Sequence, residues 1–210
     1  MVALLEAAAH PEFPAEIALV VSNRADAAGL DRARDMHVPV AVVPSRARPR
    51  ELFETDLAAV LAAHQIALLA LAGFMRVLTE GFVQQWEGRM INIHPSLLPS
   101  FPGLDTHARA LAAGVRLHGC TVHMVSAGVD EGPIIAQAAV PVLTHDTPES
   151  LAARVLEQEH RLYPAALAWL AAGRVRVTGG RAHVAAAEAR GRLVNPLPAG
   201  AAVSTHVLRD

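Results

Sequence analysis

Blocks of apolar and polar residues alternate along the first two thirds of the chain, and each block has the length of a strand or a helix. Four short apolar runs are typical of buried strands, at residues 17–22, 38–43, 66–72 and 90–94. The segments between them have polar faces or helical spacing, at residues 26–36, 51–63 and 79–86. This alternation predicts an α/β fold, with a mostly parallel twisted sheet and helices on both faces.

The order of elements changes after the fourth apolar run. A helix is predicted over 106–113, and two strands follow it, at 121–125 and 134–142, with no helix between them. Two strands joined by so short a connection predict an antiparallel pair at the edge of the sheet.

The last third begins with Thr147 and Pro148, an N-cap followed by proline at the first helical position. The helix that starts there should be kinked or interrupted at Pro164. Beyond Gly173 the pattern predicts a small hairpin and a loose tail. The expected organisation is a main domain over 1–175 and a terminal hairpin with tail over 176–210.

Composition narrows the functional classes. Hydrophobic residues make up 52% of the chain, and 18 basic residues stand against 20 acidic ones. No surface for nucleic acid is expected, because the arginines of 46–50 are typical of a solvated turn. No apolar stretch is long enough to cross a bilayer, and the first residues lack the basic start of a secretory signal. We therefore expect a cytoplasmic protein without a membrane partner.

Candidate chemistry begins at the fourth strand, in the run Ile91-Asn92-Ile93-His94-Pro95. Residues two apart on a strand point the same way, so Asn92 and His94 project together. Parallel α/β sheets place their active sites beyond the carboxyl ends of the strands. An amide and an imidazole at such an end could hold one polarised carbonyl oxygen, although a structural hydrogen bond for His94 is an open alternative.

A second candidate is Asp130, which lies in the run Gly128-Val129-Asp130-Glu131-Gly132. The simpler interpretation is an aspartate in a tight turn. A carboxylate that faced His94 would instead hold the imidazole protonated or oriented, as general acid–base chemistry at a carbonyl carbon needs.

The remaining candidate side chains are expected to be structural. His118 and His123 are five residues apart on one strand, so they should point to opposite faces, and no metal-ligand spacing accompanies them. His107 lies near a helix start and is assigned no chemistry. Cys120 is the single cysteine, and it is expected to be a buried thiol.

The run from Asn92 to His107 resembles the signature of the folate-dependent formyltransferases, most closely the phosphoribosylglycinamide formyltransferases. The runs His118-Gly-Cys-Thr-Val-His123 and Asp130-Glu-Gly-Pro-Ile-Ile-Ala-Gln137 are similar to the same family. Shorter matches lie at residues 22–26, 72–78, 158–160 and 163–164. The resemblance extends to about residue 175, and it implies a Rossmann-like formyltransferase fold.

The resemblance also implies an activity, the transfer of a formyl group from 10-formyltetrahydrofolate to the amino group of glycinamide ribonucleotide in purine biosynthesis. His94 is then the general acid, Asn92 binds the formyl oxygen, and Asp130 pairs with His94 and assists proton movement. Glu159 is the implied contact to the glycinamide substrate. The implied folate-binding positions are Arg50, Met75, Arg76, Val77, Leu78, Asn92, Ser126, Ala127, Gly128, Val129 and Asp130. The implied partners are these small molecules, with no metal, and the enzyme is expected to be a monomer or a homodimer.

The chain departs from the family pattern at its start. The family begins with a strand and a glycine-rich loop that holds the nucleotide phosphate at a helix N-terminus. Here the first residues, 2–9, look like the interior of the first helix. Either the start was assigned too late or the chain is truncated. Asp105, where the family often has histidine, is a smaller departure.

Two other functions stay open at this point. One is a formyltransferase with another acceptor, or a hydrolase of 10-formyltetrahydrofolate. The other is a catalytically silent folate-binding or scaffold protein.

Overall fold

The computed structural model describes residues 1–185 and Asn195. Six helices lie in the described part of the chain: α1 (Val2–Ala8), α2 (Ala28–Asp35), α3 (Arg50–Ala63), α4 (Glu80–Gln85), α5 (Thr106–Ala112) and α6 (Pro148–Ala171). Eight strands lie there too: β1 (Val20–Ser22), β2 (Val40–Val42), β3 (Leu69–Leu71), β4 (Met90–His94), β5 (Leu117–Met124), β6 (Ile134–Pro141), β7 (Val175–Thr178) and β8 (Arg181–Val184). The predicted α/β class and the antiparallel later strands are confirmed.

The strands form three hydrogen-bonded groups. A four-stranded sheet has the order β3-β4-β5-β6, in which β3 and β4 are parallel and the later pairs are antiparallel. The parallel strands β1 and β2 form a second group, and β7 and β8 form the predicted terminal hairpin. The predicted tail lies outside the described residues, apart from Asn195, whose amide donates to the carbonyls of Arg116 and Val142.

A cavity of about 890 Å³ separates β1 from β3. Its walls come chiefly from residues 14–24 and 65–76, two segments that carry these strands, and most of the side chains are apolar. In a parallel sheet, one residue directs its backbone N–H and C=O to the strand on one side, and the next residue directs them to the other side. Leu69 and the rest of β3 pair with β4 on one side, and the other side of the strand faces the cavity.

Helix α6 covers one face of the four-stranded sheet. Leu167 and Leu170 pack in a core cluster with Ile91 and Val122, and the Tyr163 hydroxyl donates to the carbonyls of Leu71 and Ile91. The predicted interruption at Pro164 does not occur, because the helix continues to Ala171. Loss of one backbone donor costs about 3 kcal/mol in a helix interior, and burial of the surrounding apolar face offsets that cost.

Helix ends follow the sequence signals where a capping side chain is available. Thr147 is the N-cap of α6, as predicted, and it accepts from the Ser150 backbone; the Ser150 side chain completes a capping box that was not predicted. Thr79 caps α4, and the buried Glu54 carboxylate accepts from both the Thr79 backbone and its hydroxyl. Among the described residues, no helix is long and apolar enough to span a bilayer.

Candidate active site

The site is built on the pairing of β4 with β5. The antiparallel register places Asn92 opposite His123 and His94 opposite Thr121. Side chains of paired residues lie on the same face of a sheet. Asn92 and His94 therefore share a face with His123, which the sequence interpretation had assigned to the fold alone.

His94 lies between two hydrogen-bond acceptors. Its Nε2 is 3.0 Å from the carbonyl oxygen of Phe101, and its Nδ1 is 3.3 Å from Asp130 Oδ2. The His94 side chain is only 7% exposed, and that of Asp130 is 11% exposed. The ring can donate to both acceptors only when it carries both protons, so the geometry suits an imidazolium that can give up a proton.

The connection between β5 and β6 brings Asp130 to this position. Residue 130 has a positive φ of 58°, and its Oδ2 also accepts from the Gly103 backbone at 2.9 Å. The Gly103 N–H and the His94 ring together fix the orientation of the Asp130 carboxylate. The prediction that Asp130 faces His94 matches this geometry.

His123 is the residue that sequence reasoning missed. Its Nδ1–H donates to the Met124 carbonyl at 2.9 Å, so its Nε2 accepts from the Asn92 amide at 3.3 Å. Burial lowers the pKa of His123, an effect that Asp130 only partly opposes, and the neutral ring fits this pattern. Nε2 of His123 is 3.7 Å from Asp130 Oδ1, so the same ring also borders the carboxylate.

This arrangement orients Asn92. One N–H of its amide is used on His123, and the second N–H stays available to an oxygen placed beside β4. The signal in the sequence was the run Thr121-Val122-His123, but the pairing of His123 with Asn92 joins two strands through residues 31 positions apart, so no local pattern shows it.

The loop after β4 is held by buried polar contacts. Thr121 Oγ1 accepts from the Leu98 backbone and donates to the Ser96 carbonyl, and Gln137 donates to the Leu98 carbonyl. The Thr106 hydroxyl ties α5 back to the Pro95 carbonyl at 2.7 Å. These contacts fix the segment that carries the chain from His94 to the helix.

Two further histidines lie beneath this loop. His107 and His118 meet edge to face, with ring centroids 5.2 Å apart, and the Phe101 ring contacts the other side of His118. Neither ring nitrogen of His118 has a hydrogen-bond partner among the described residues. Burial, supported by the neighbouring His107, lowers the pKa of His118 to about 4, so the pair is neutral and packs as an apolar group.

The predicted folate positions lie in three places. Arg50 is the exposed first residue of α3. Met75 and Val77 are exposed on the segment after β3, whereas Leu78 packs in the core. Val129 is exposed in the connection that also carries the other predicted positions, Ser126, Ala127, Gly128 and Asp130.

Arg76 is occupied by structural contacts. Its guanidinium donates to the carbonyls of Ser45 and Arg48 and lies over the Phe53 ring at 5.1 Å. Within the described chain it thus ties the segment after β3 to the segment before α3. The side chain is not directed at Asn92, His94 or Asp130, so any contact to a ligand would come from the backbone, as the family resemblance implies.

Glu159 lies apart from the His94–Asp130 pair. It lines a cavity of about 280 Å³ on α6, together with Met1, Gly73 and Ile93. Burial raises the pKa of Glu159, and the amino group of Met1 opposes that shift. Ile93 separates Asn92 from His94 along β4, so this cavity reaches the same strand from its other face.

Comparison with known proteins gives a consistent result. Residues 1–167 match the formyl transferase family. A phosphoribosylglycinamide formyltransferase of Haemophilus influenzae is 41% identical over 182 residues, which cover 86% of each chain. The trifunctional purine biosynthetic protein adenosine-3 of Gallus gallus is 48% identical over 176 residues, or 83% of this chain. The chain spans only 18% of that trifunctional protein's length.

The fold agrees with this match. A crystal structure of glycinamide ribonucleotide transformylase 1 from Symbiobacterium toebii superposes with a TM-score of 0.84 and 47% sequence identity, and the match covers 87% of each chain.

Proposed function

Because the chain belongs to the formyl transferase family, and within it to the phosphoribosylglycinamide formyltransferases, we propose that it moves a formyl group from 10-formyltetrahydrofolate to the amino group of glycinamide ribonucleotide. The observation that carries the proposal is the buried His94–Asp130 pair beside the Asn92 amide, at the carboxyl end of β4. The product serves purine biosynthesis, and the reaction takes place in the cytoplasm.

Attack of the amine on the formyl carbon creates a tetrahedral centre with a negative oxygen. Collapse of that centre then breaks the bond between the formyl carbon and the folate nitrogen, which takes up a proton and leaves as tetrahydrofolate. The free N–H of Asn92 is one donor to that oxygen, and His94 is the other. The Nδ1 contact of His94 to Asp130 is longer, at 3.3 Å, than the Nε2 contact to Phe101, at 3.0 Å. Nδ1–H is therefore the proton that a bound substrate can recruit. Such preorganised donors stabilise the transition state because they need no reorientation when charge develops.

Asp130 has the complementary role. Once the Nδ1–H of His94 is shared with the developing oxyanion, the Asp130 carboxylate is the nearest acceptor for the proton lost by the attacking amine, directly or through water. Its bond from the Gly103 backbone keeps the carboxylate in place while that proton moves.

The folate side is proposed to lie over the segment 75–78 and the connection 126–130. Met75, Val77 and Val129 are large apolar side chains at least half exposed, which suits contact with a flat aromatic ring. Arg50 contacts the outer part of the folate, where a positive charge pairs with carboxylates. Glu159 contacts the glycinamide substrate from its own cavity.

The phosphate of the ribonucleotide needs an anion site. The family resemblance implies a strand followed by a glycine-rich loop for this purpose. We place such a strand in the cavity between β1 and β3, where it would join the two parallel pairs into one sheet. Its loop would then end at the carboxyl edge that carries His94, as open α/β sheets require for a ligand site.

Replacement of His94 tests the assignment. His94→Ala should lower the rate of formyl transfer by a factor of about 10² to 10⁴, the range for loss of a general acid. Affinity for 10-formyltetrahydrofolate should change little, because the role of His94 is confined to the reaction. Single-turnover transfer and folate binding, measured on both proteins, separate the two effects. Equal losses in rate and affinity would count against the role given to His94.

A further inference from the structure

One short loop contacts both members of the His94–Asp130 pair. In the loop 101–105, the Phe101 carbonyl accepts from His94 Nε2, and the Gly103 N–H donates to Asp130 Oδ2. The separation of the imidazole from the carboxylate therefore depends on the conformation of these five residues.

The loop has an unfavourable backbone. Phe101 and Asp105 have φ values of 55° and 54°, in the left-handed region that ordinary residues avoid. Each such residue costs about 1 to 3 kcal/mol and persists only where its surroundings determine it. The structure must therefore contain contacts that hold this loop.

Arg109, on α5, supplies them. Its Nη1 donates to the Pro102 carbonyl at 2.5 Å and to the Leu104 carbonyl at 3.1 Å. Its guanidinium also lies 5.7 Å from the centre of the Phe101 ring. The ring is supported on another side by His118, whose centroid is 6.0 Å away.

Charge does not explain the position of Arg109. No acidic side chain forms a salt bridge with it in the part of the chain that the structure describes. Its donors are used on backbone carbonyls at both sides of Gly103, and a planar fork of several N–H groups can reach two carbonyls and stack on a ring at once.

We propose that Arg109 is a positioning residue for the proposed reaction: it clamps the loop 101–105, and the loop sets the geometry of His94 and Asp130. This inference rests on the function proposed above. A mutation far from the reacting atoms that misplaces catalytic groups by about 1 Å can lower the rate up to 10²-fold. A residue that holds the loop from outside the site can therefore affect turnover.

The test uses Arg109→Gln, Arg109→Lys and a matched control, Arg89→Gln. Arg89 makes the same kinds of contact, to the Gln85 carbonyl at 2.5 Å and over the Trp86 ring at 4.7 Å, but it precedes the opposite end of β4. Two quantities are measured: the single-turnover rate of formyl transfer with the Michaelis constants for both substrates, and the NMR signal of the Gly103 amide.

Arg109→Gln should lower the transfer rate about tenfold with Michaelis constants within about twofold, and it should shift the Gly103 amide and speed its hydrogen exchange. Compared with Arg109→Gln, Arg109→Lys keeps the charge and a group that donates to carbonyls but lacks the planar fork, so it should restore part of the rate. Arg89→Gln should match the parent protein in both measurements.

An unchanged Gly103 amide and an unchanged rate in Arg109→Gln would overturn the proposal. So would a loss that Arg109→Lys does not relieve, or one that Arg89→Gln shares. If neither the parent protein nor a form extended upstream by the strand and loop transfers a formyl group, the proposed function fails, and the Gly103 amide still decides whether Arg109 holds the loop. If Arg109→Gln does not fold, the amide and rate of Arg109→Lys decide in its place.

Discussion

The roles of Asn92 and His123 form one unit at the scale of single residues. The Nδ1–H of His123 is bound to the Met124 carbonyl, so its Nε2 has a lone pair to offer and the Asn92 amide must direct its N–H there. A carboxylate at position 92 could not donate to His123 or to an oxyanion.

Asn92→Asp should therefore lower the rate of formyl transfer by about 10² to 10³, the cost of losing one oxyanion donor. The measurement is the single-turnover rate beside the affinity for 10-formyltetrahydrofolate. A variant that kept more than half of the parent rate would remove Asn92 from the proposed mechanism.

Some of these residues could be predicted from the sequence and others could not. The spacing of Asn92 and His94 predicts a shared face because strand geometry is local. The contact from Asp130 to His94 follows from the path of a loop, and the clamp by Arg109 depends on how far a side chain reaches from a helix. Neither contact can be predicted from the periodic pattern of apolar and polar residues. His123 was missed because its position opposite Asn92 depends on the pairing of two strands, between residues 31 positions apart in the sequence, which no local pattern records.

At the scale of elements, the backbones of β5 and β6 approach so closely that one position of β5 has no room for a side chain. A side-chain carbon on Gly119 would clash with the backbone carbonyl of Ala138 on the neighbouring strand. Gly81, at the start of α4, has open space at the same position and an ordinary helical backbone.

Gly119→Ala should destabilise the protein by about 2 to 4 kcal/mol, because the two strands must separate and strain the surrounding core. Gly81→Ala should be neutral or stabilise by up to about 1 kcal/mol, the gain in helix propensity. Urea unfolding of both variants gives the two free energies. Similar values for the pair would mean that β5 and β6 have room to adjust.

Element boundaries show where sequence patterns stop being informative. The bounds of β4 are those predicted, because it is bordered by a charged residue and by proline. The apolar runs 17–22 and 66–72 are longer than β1 and β3. An apolar run indicates burial, whereas a strand extends only as far as a neighbouring strand pairs with it. Pro164 was expected to kink or interrupt α6, and the interruption does not occur because tertiary packing around Tyr163 overrides the local preference.

At the scale of the whole molecule, buried histidines link stability to pH. Burial lowers the pKa values of His107, His118 and His123 in the folded protein, and that of His118 falls to about 4 from 6.5. Between these two values the unfolded chain binds more protons than the folded protein, so stability is fully present above pH 6.5 and is lost as the pH falls.

His118 alone should remove about 2 kcal/mol of unfolding free energy between pH 7.5 and pH 5. His118→Phe should reduce that loss, since a phenyl ring packs against Phe101 and His107 without taking up a proton. His145→Phe, at an exposed site, is the control and should leave the pH dependence as it was. Urea titrations at the two pH values measure it, and an unchanged slope in His118→Phe would contradict the assignment.

The division of the strands into two parallel pairs is also a property of the whole molecule. The sequence predicts the α/β class because apolar runs and helical segments alternate, but it does not show that β1 and β3 stand apart across a cavity of about 890 Å³. That arrangement depends on contacts between segments about 50 residues apart, which no local pattern records.

The most direct measurement is formyl transfer from 10-formyltetrahydrofolate to glycinamide ribonucleotide, followed as the formation of both products, in this chain and in one extended upstream by a strand and a glycine-rich loop. The account predicts transfer that requires the ribonucleotide and disappears in His94→Ala. Release of formate without the ribonucleotide would indicate a hydrolase. If both proteins bind the folate and neither transfers the formyl group, the proposed function is wrong.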